Sequence, residues 1–228
     1  MLTPFGPEIW LANGPAITAA AGFHYPTRMA VIRLAGDGLF IWSPIALTQP
    51  LQAAVNGLGP VRHLIAPNTL HHMAMADWQA AYPQAQLHAA PGLASKRPDL
   101  RIDATLGQSP ADWSAEMDQL LIDTRITPEA VFFHHASRTA IFTDLLQQLP
   151  PGWFTGWRAI VARLDLMTAA EPSVPRKFRM AIKNRATLRR QIDQLLSLNP
   201  ERLIIAHGPV IENNAAKVLR RAFAWAKP

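Results

Sequence analysis

The sequence predicts a layered α/β domain of the α+β kind, with sheet inside and helices outside. Three observations predict it. Short apolar runs with strand character crowd the first half of the chain, and helical periodicity dominates the last third. One further apolar run, RLIIAHG (202–208), returns between the last two helical segments. Composition agrees: of 228 residues, 49% are hydrophobic and 17% charged, enough for a sizeable core. No internal repeat or low-complexity linker divides the chain, so residues 1–228 are expected to form a single domain.

The elements follow in order. EIWLA (8–12) reads as a strand. MAVIRL (29–34) and LFIWS (39–43) flank the turn AGDG and predict a hairpin. LTQPLQAAVNGLG (47–59) predicts a helix ended by glycine, and RHLIAPN (62–68) a strand running into a helix through Trp78. QLHAAP (86–91) is another strand, followed by a loop-rich block. QLLID (119–123), AVFFHH (130–135) and TAIFTD (139–144) are strands, the last two joined through Ala136-Ser137-Arg138. Phe154, Trp157, Ile160, Val161, Leu164 and Met167 recur at helical period, and residues 185–198 and 213–226 predict two further helices.

The bulk numbers exclude several functions. With no cysteine, disulfides and thiolate-held zinc or iron–sulfur centres are excluded, so a metal needs His, Asp, Glu or Asn. No apolar run reaches the roughly 20 residues that span a bilayer. The first basic residue is Arg28, too late for the charged start of a signal peptide, so a cytoplasmic protein without a membrane partner is expected. No glycine-rich phosphate loop is present, so no nucleotide cofactor is expected. The net charge of +6 is concentrated: Arg176, Lys177, Arg179, Lys183, Arg185, Arg189 and Arg190 cluster without an acid. Leu188, Ile192, Leu195 and Leu196 make the opposite face a buried stripe. Few aromatics accompany the run, so it fits an anionic small-molecule substrate at a cleft rim better than nucleic acid.

Three apolar strands end in metal-ligand residues. LIAPN leads to His71 and His72, AIFTD ends in Asp144, and LIIAH ends in His207. A buried strand fixes the position of its tip, and a carboxylate with neutral imidazoles suits one divalent zinc, iron or manganese ion. Each residue also has a plainer reading. Asp144 fits a helix cap over 145–149, His207 a hydrogen-bonded histidine before a turn, and the paired histidines a helix start. Ser137 beside His135 is a weaker nucleophile candidate, since hairpin turns use serine for their own hydrogen bonds.

The stretches APNTLHHMAMADW with AYPQAQLHAAPGLASKRPD, VFFHHASRTAIFTDLL and RLIIAHGPVI resemble the metallo-β-lactamase superfamily, and within it the DUF4336 branch. The resemblance covers nearly the whole chain and implies a four-layer αββα sandwich. It also implies hydrolysis of esters, amides, thioesters or phosphodiesters with one or two metals. The superfamily signature His-x-His-x-Asp-His falls on residues 68–73, where Asn68, Leu70, His72 and Met73 replace its ligands. Its bridging Asp falls on Asp144 and its last His on His207. A third-motif His is missing upstream of AVFFHH, and Trp42-Ser43-Pro44 stands where the first hairpin should carry Asp.

Leucine cannot bind a cation, so the resemblance with these departures implies at most one metal, held by His72, Asp144 and His207, with His71 as the alternative ligand. Such a metal lowers the pKa of water and polarises an acyl or phosphoryl oxygen, and Asn68 is expected to orient water or an oxyanion. Two readings follow. One is a mononuclear hydrolase of an ester, lactone, amide or phosphodiester. The other is a non-catalytic member of the fold that binds a ligand or partner.

Overall fold

The computed structural model describes residues 1–108 and 112–226. One sheet holds β1 (Thr3–Gly6), β2 (Ile9–Thr18), β3 (His24–Arg33), β4 (Leu39–Trp42), β5 (Val61–Ala66), β6 (Gln86–Ala89) and β7 (Ala104–Thr105), side by side in that order. It is antiparallel from β1 to β4 and parallel from β4 to β7. The second sheet holds β8 (Met117–Ile122), β9 (Glu129–His134), β10 (Thr139–Gln147) and β11 (Arg202–His207), in the order β11-β10-β9-β8. Only its β10–β11 pair is parallel.

The central strands are apolar on both faces, and alternation sends successive residues to different cores. On β4, Leu39 and Ile41 face the outer helices α1 (Gln49–Asn56), α2 (Met75–Ala81) and α3 (Leu93–Lys96), while Phe40 and Trp42 face the other sheet. On β10, Ile141 faces the first sheet. Ala140 and Phe142 face the side covered by α5 (Arg176–Ala181), α6 (Arg185–Ser197) and α7 (Ala215–Ala222). Three apolar layers between four structural layers are the αββα sandwich expected from the sequence. The buried stripe Leu188, Ile192, Leu195 and Leu196 on α6 also holds.

Several elements differ from expectation. The strand read at 8–12 runs on to Thr18 and forms a hairpin, not expected from the sequence, with a β3 that begins at His24. No helix starts at His71: α2 begins at Met75, and residues 67–74 form a loop. Asp144 caps no helix, because β10 continues through it to Gln147. Of the residues that mark a helix by period, Trp157, Ile160, Val161 and Leu164 on α4 (Gly156–Leu164) face solvent, Phe154 and Met167 beyond its ends are buried, and the inward residue of the helix is Ala162.

Candidate metal centre

β5, β10 and β11 all deliver their C-terminal ends to one edge of the sandwich. There the Nε2 atoms of His71 and His207 stand 3.2 Å apart. Each faces a different oxygen of Asp144, His71 at 3.3 Å from Oδ2 and His207 at 3.3 Å from Oδ1. Asp144 and His207 are buried, and His71 is nearly so. This is the one His/Asp/Glu cluster of metal-binding geometry among the described residues.

Local structure explains the convergence. β10 slips out of register with β11 between Phe142 and Gln147, and the backbone N–H groups freed by this bulge need acceptors. Glu129, fully buried on β9, supplies them: its carboxylate accepts from the N–H groups of Thr143, Asp144 and Leu145. Burial and the neighbouring Asp144 charge push the Glu129 carboxyl up to about 7. Burial also pushes the Asp144 carboxyl up, but the adjoining His207 and His71 rings outweigh it and hold Asp144 well below the usual carboxylate range.

Asn68 ties the histidine loop to this strand. Its side-chain oxygen accepts from Leu70 N (2.8 Å) and His71 N (3.0 Å), turning the chain so that His71 points inward. Its amide donates to Asp144 Oδ2 (2.7 Å) and Thr143 Oγ1 (3.1 Å). Asn68, expected to orient water or an oxyanion, is fully buried, and both its amide hydrogens are engaged within the protein.

The far nitrogens of the two imidazoles are also held. His207 Nδ1 lies 2.8 Å from the Pro26 carbonyl, which only accepts, so that nitrogen carries the proton and Nε2 of the neutral ring is a lone pair. His71 Nδ1 lies 2.7 Å from Ser43 Oγ. Ser43 has a left-handed backbone (φ 51°), a strained conformation for a non-glycine residue and one often found at functional sites.

His72, named first from the sequence, is not in the cluster. It borders the same cleft, but its Nδ1 accepts from Arg97 (2.9 Å). Burial, then the Lys96 and Arg97 charges, push its pKa down. The structure thus brings His71, Asp144 and His207 together. The reason is the Asn68 turn, which replaces the helix that would have directed His72.

The cluster lies on the wall of a cleft of about 480 Å³. Its walls are mostly apolar, with Ile17, Ile45, Leu70, Met73, Ile126 and Phe178 around the mouth and sides. Lys96 and Lys177 also line it. Of the basic run at 176–190, only Lys177 lines the cleft; Arg189 donates to Ala226 O and Arg185 lies over Trp225. Ser137 is buried against His134, not His135, and His135 pairs with Asp118 at the surface, so no serine nucleophile is exposed there.

The donor set fits a metal. Two imidazole nitrogens 3.2 Å apart, each 3.3 Å from a different oxygen of one carboxylate, require positive charge between them. A tetrahedral zinc with ligands at about 2.0–2.1 Å has ligand–ligand edges of about 3.3 Å. A proton on one imidazole also meets the charge demand.

Residues 16–155 match the model of a family described as a domain of unknown function (DUF4336). No curated protein matches the chain. Solved structures do. A metallo-β-lactamase from Pontibacter korlensis superposes with TM-score 0.66 at 11% identity, over 99% of this chain and 98% of that one. The metallo-β-lactamase FIM-1 from Pseudomonas aeruginosa, in its mono-zinc form, gives TM-score 0.61 at 12% identity over 100% and 96%. A metal-soaked Flv1 flavodiiron core from Synechocystis gives 0.65 at 10% identity, over 99% of this chain and 60% of that one. At such identities the likeness establishes the fold.

Proposed function

This chain belongs to the DUF4336 family, here built on the metallo-β-lactamase fold, and we propose that it is a mononuclear metal-dependent hydrolase of an apolar small molecule. The observation that carries this reading is the convergence of His71 Nε2, His207 Nε2 and Asp144 on one point beside an apolar cleft. His71, Asp144 and His207 hold a single divalent ion. Asn68, Leu70 and Met73 leave a second metal without ligands. When bound, the ion supplies Lewis acidity and activates water at neutral pH.

The remaining roles belong to the chain itself. Pro26 and Ser43 fix the two imidazoles, as the outer partners of metal-ligating histidines do. Asn68 donates to the Asp144 carboxylate, and Glu129 accepts from the Asp144 backbone N–H. His72 stays neutral because its pKa is pushed down, and because Nδ1 accepts from Arg97 its proton sits on Nε2. It is the donor we assign to a substrate oxygen. Ile17, Leu70, Met73 and Ile126 are exposed and would be covered by an apolar ester or lactone. Lys96 and Lys177 leave room for an anionic group on it.

The test is a turnover screen of alkyl and aryl esters, lactones and phosphodiesters with zinc-, iron- and manganese-loaded protein. Activity in the wild type that disappears in His207→Ala supports the assignment. Metal binding without turnover of any of these classes favours the second reading, a ligand-binding module, for which the replaced signature residues Asn68, Leu70 and Met73 speak.

A further inference from the structure

We propose that α4 and the tip of the β2–β3 hairpin form a docking surface for an anionic lipid surface. The observation is an inverted amphipathic helix. On α4, Trp157, Ile160, Val161 and Leu164 are 52%, 64%, 42% and 58% exposed, while Ala162 is buried and Ala159 packs inward. At about 100° per residue these four large side chains share one stripe, and the alanines lie opposite. Small residues face the protein and large apolar ones face away from it. A scattered surface leucine needs no explanation, but a whole helix face does.

Charge says what covers it. Arg158 and Arg163 flank the stripe on either side, and α4 has no acidic residue. Beside it, Val161 and Leu164 line a groove with Arg176 and Lys177, whose acid, Asp165, is engaged by Lys177 (3.4 Å). Among the described residues, Arg158, Arg163 and Arg176 have no carboxylate partner. An apolar ridge edged by arginines is the pattern of a helix lying in the plane of a bilayer interface, with apolar side chains in the acyl boundary and guanidinium groups among phosphates. A second copy of the chain pairing through the same ridge would set these arginines against their own equivalents, which disfavours self-association.

A second element adds to the surface. Residues 15–22, PAITAAAG, are exposed and uncharged. They are tied to α4 by Arg158, whose Nε donates to Ala21 O (2.7 Å) while its guanidinium lies 4.8 Å from the centre of the Trp157 ring. Pro15, Ile17, Thr18 and Ala19 of this tip also line the cleft, and Tyr25 and Lys177 line both cleft and groove. Docking therefore sets the cleft mouth against the lipid. This revises the sequence expectation of no membrane partner, and it does not depend on whether the cleft is catalytic.

The experiment is co-sedimentation of the full chain with vesicles of pure phosphatidylcholine and of equimolar phosphatidylcholine and phosphatidylglycerol, at low and high salt. Size-exclusion chromatography of the same samples accompanies it. Wild type is expected to bind the anionic vesicles, to weaken with salt, and to stay monomeric without lipid. Ile160→Asp with Leu164→Asp, both exposed and so compatible with folding, is expected to reduce partitioning about tenfold or more, and Arg163→Glu to reduce it on anionic vesicles only. Circular dichroism confirms that the variants are folded. Three results overturn the proposal. One is no binding to anionic vesicles at low salt. The second is binding that the double substitution leaves unchanged. The third is a dimer, abolished by that substitution, in a protein that ignores vesicles.

Discussion

Replacing Asn68 with alanine removes four hydrogen bonds from one buried side chain. Two are donated, to Thr143 Oγ1 and to the Asp144 carboxylate, and two are accepted, from Leu70 N and His71 N. Neutral bonds contribute about 1 kcal/mol each and the charge-assisted one about 2 kcal/mol, and the half-buried loop N–H groups recover part of this from water. The net loss is about 3–4 kcal/mol in metal-free protein, a large share of the stability of an ordinary domain but not all of it. The loss also has a functional side. Without the Asn68 turn, only Ser43 still holds the His71 ring, so zinc affinity is expected to fall about 10–100-fold, as for lost outer partners of ligands. Urea denaturation with chelator present measures the first number, and zinc competition against a chromophoric chelator measures the second. Asn68→Ala with a stability loss below about 1 kcal/mol, or with wild-type zinc affinity, would refute this account of how the loop is positioned.

Other predictions concern titration and the second carboxylate. Burial, then the neighbouring His63, depresses His88 to about 4, so its stabilising contribution is full above about 6.5 and is lost as pH falls through 4. Between about pH 7.5 and 5 the wild type should lose about 2 kcal/mol more than His88→Gln, and parallel denaturation curves across that range would contradict the assignment. Glu129 has the opposite sign: its raised pKa means that its contribution is full below about 4.5 and is lost as pH rises through 7. Glu129→Gln, which keeps one acceptor oxygen for three N–H groups, should be less stable than wild type by about 1–3 kcal/mol at pH 6. Raising the pH to 8 should narrow the gap by about 1 kcal/mol, and a pH-independent gap would sink the raised pKa. His72→Ala should lower kcat on any ester or lactone substrate and leave zinc affinity within about threefold of wild type; a parallel loss of zinc would make it a ligand after all.

Much of the fold was legible because its strands are buried on both sides. LFIW, VFF and LIIA are continuous apolar runs, and only a sandwich with helices on both outer faces buries both sides of two sheets. Asp144 and His207 were legible because each ends such a run. The choice between His71 and His72 was not, since both stand in a loop. Periodicity gives no direction there, and the turn is set by one side chain, Asn68. Glu129 was missed because a lone acid before an apolar strand reads as an exposed start. Its role appears only once the β10 bulge leaves three N–H groups without ladder partners. Ser43 and the Pro26 carbonyl come from the other sheet and have no local signature. The apolar stripe on α4 was found by its period, but its exposure was not legible, because periodicity defines a stripe and not what it faces. In the structure no described helix is long and apolar enough to cross a membrane.

The central claim is that a metal ion sits between His71, Asp144 and His207. Its most direct test is the metal content of untagged protein, by mass spectrometry, after exposure to zinc, iron or manganese and removal of free ion. Wild type and His72→Ala are predicted to retain about one equivalent, and His71→Ala, His207→Ala and Asp144→Ala to retain almost none. A wild type that retains no metal under any loading condition, or a His72→Ala protein that loses it while His71→Ala keeps it, would contradict the account.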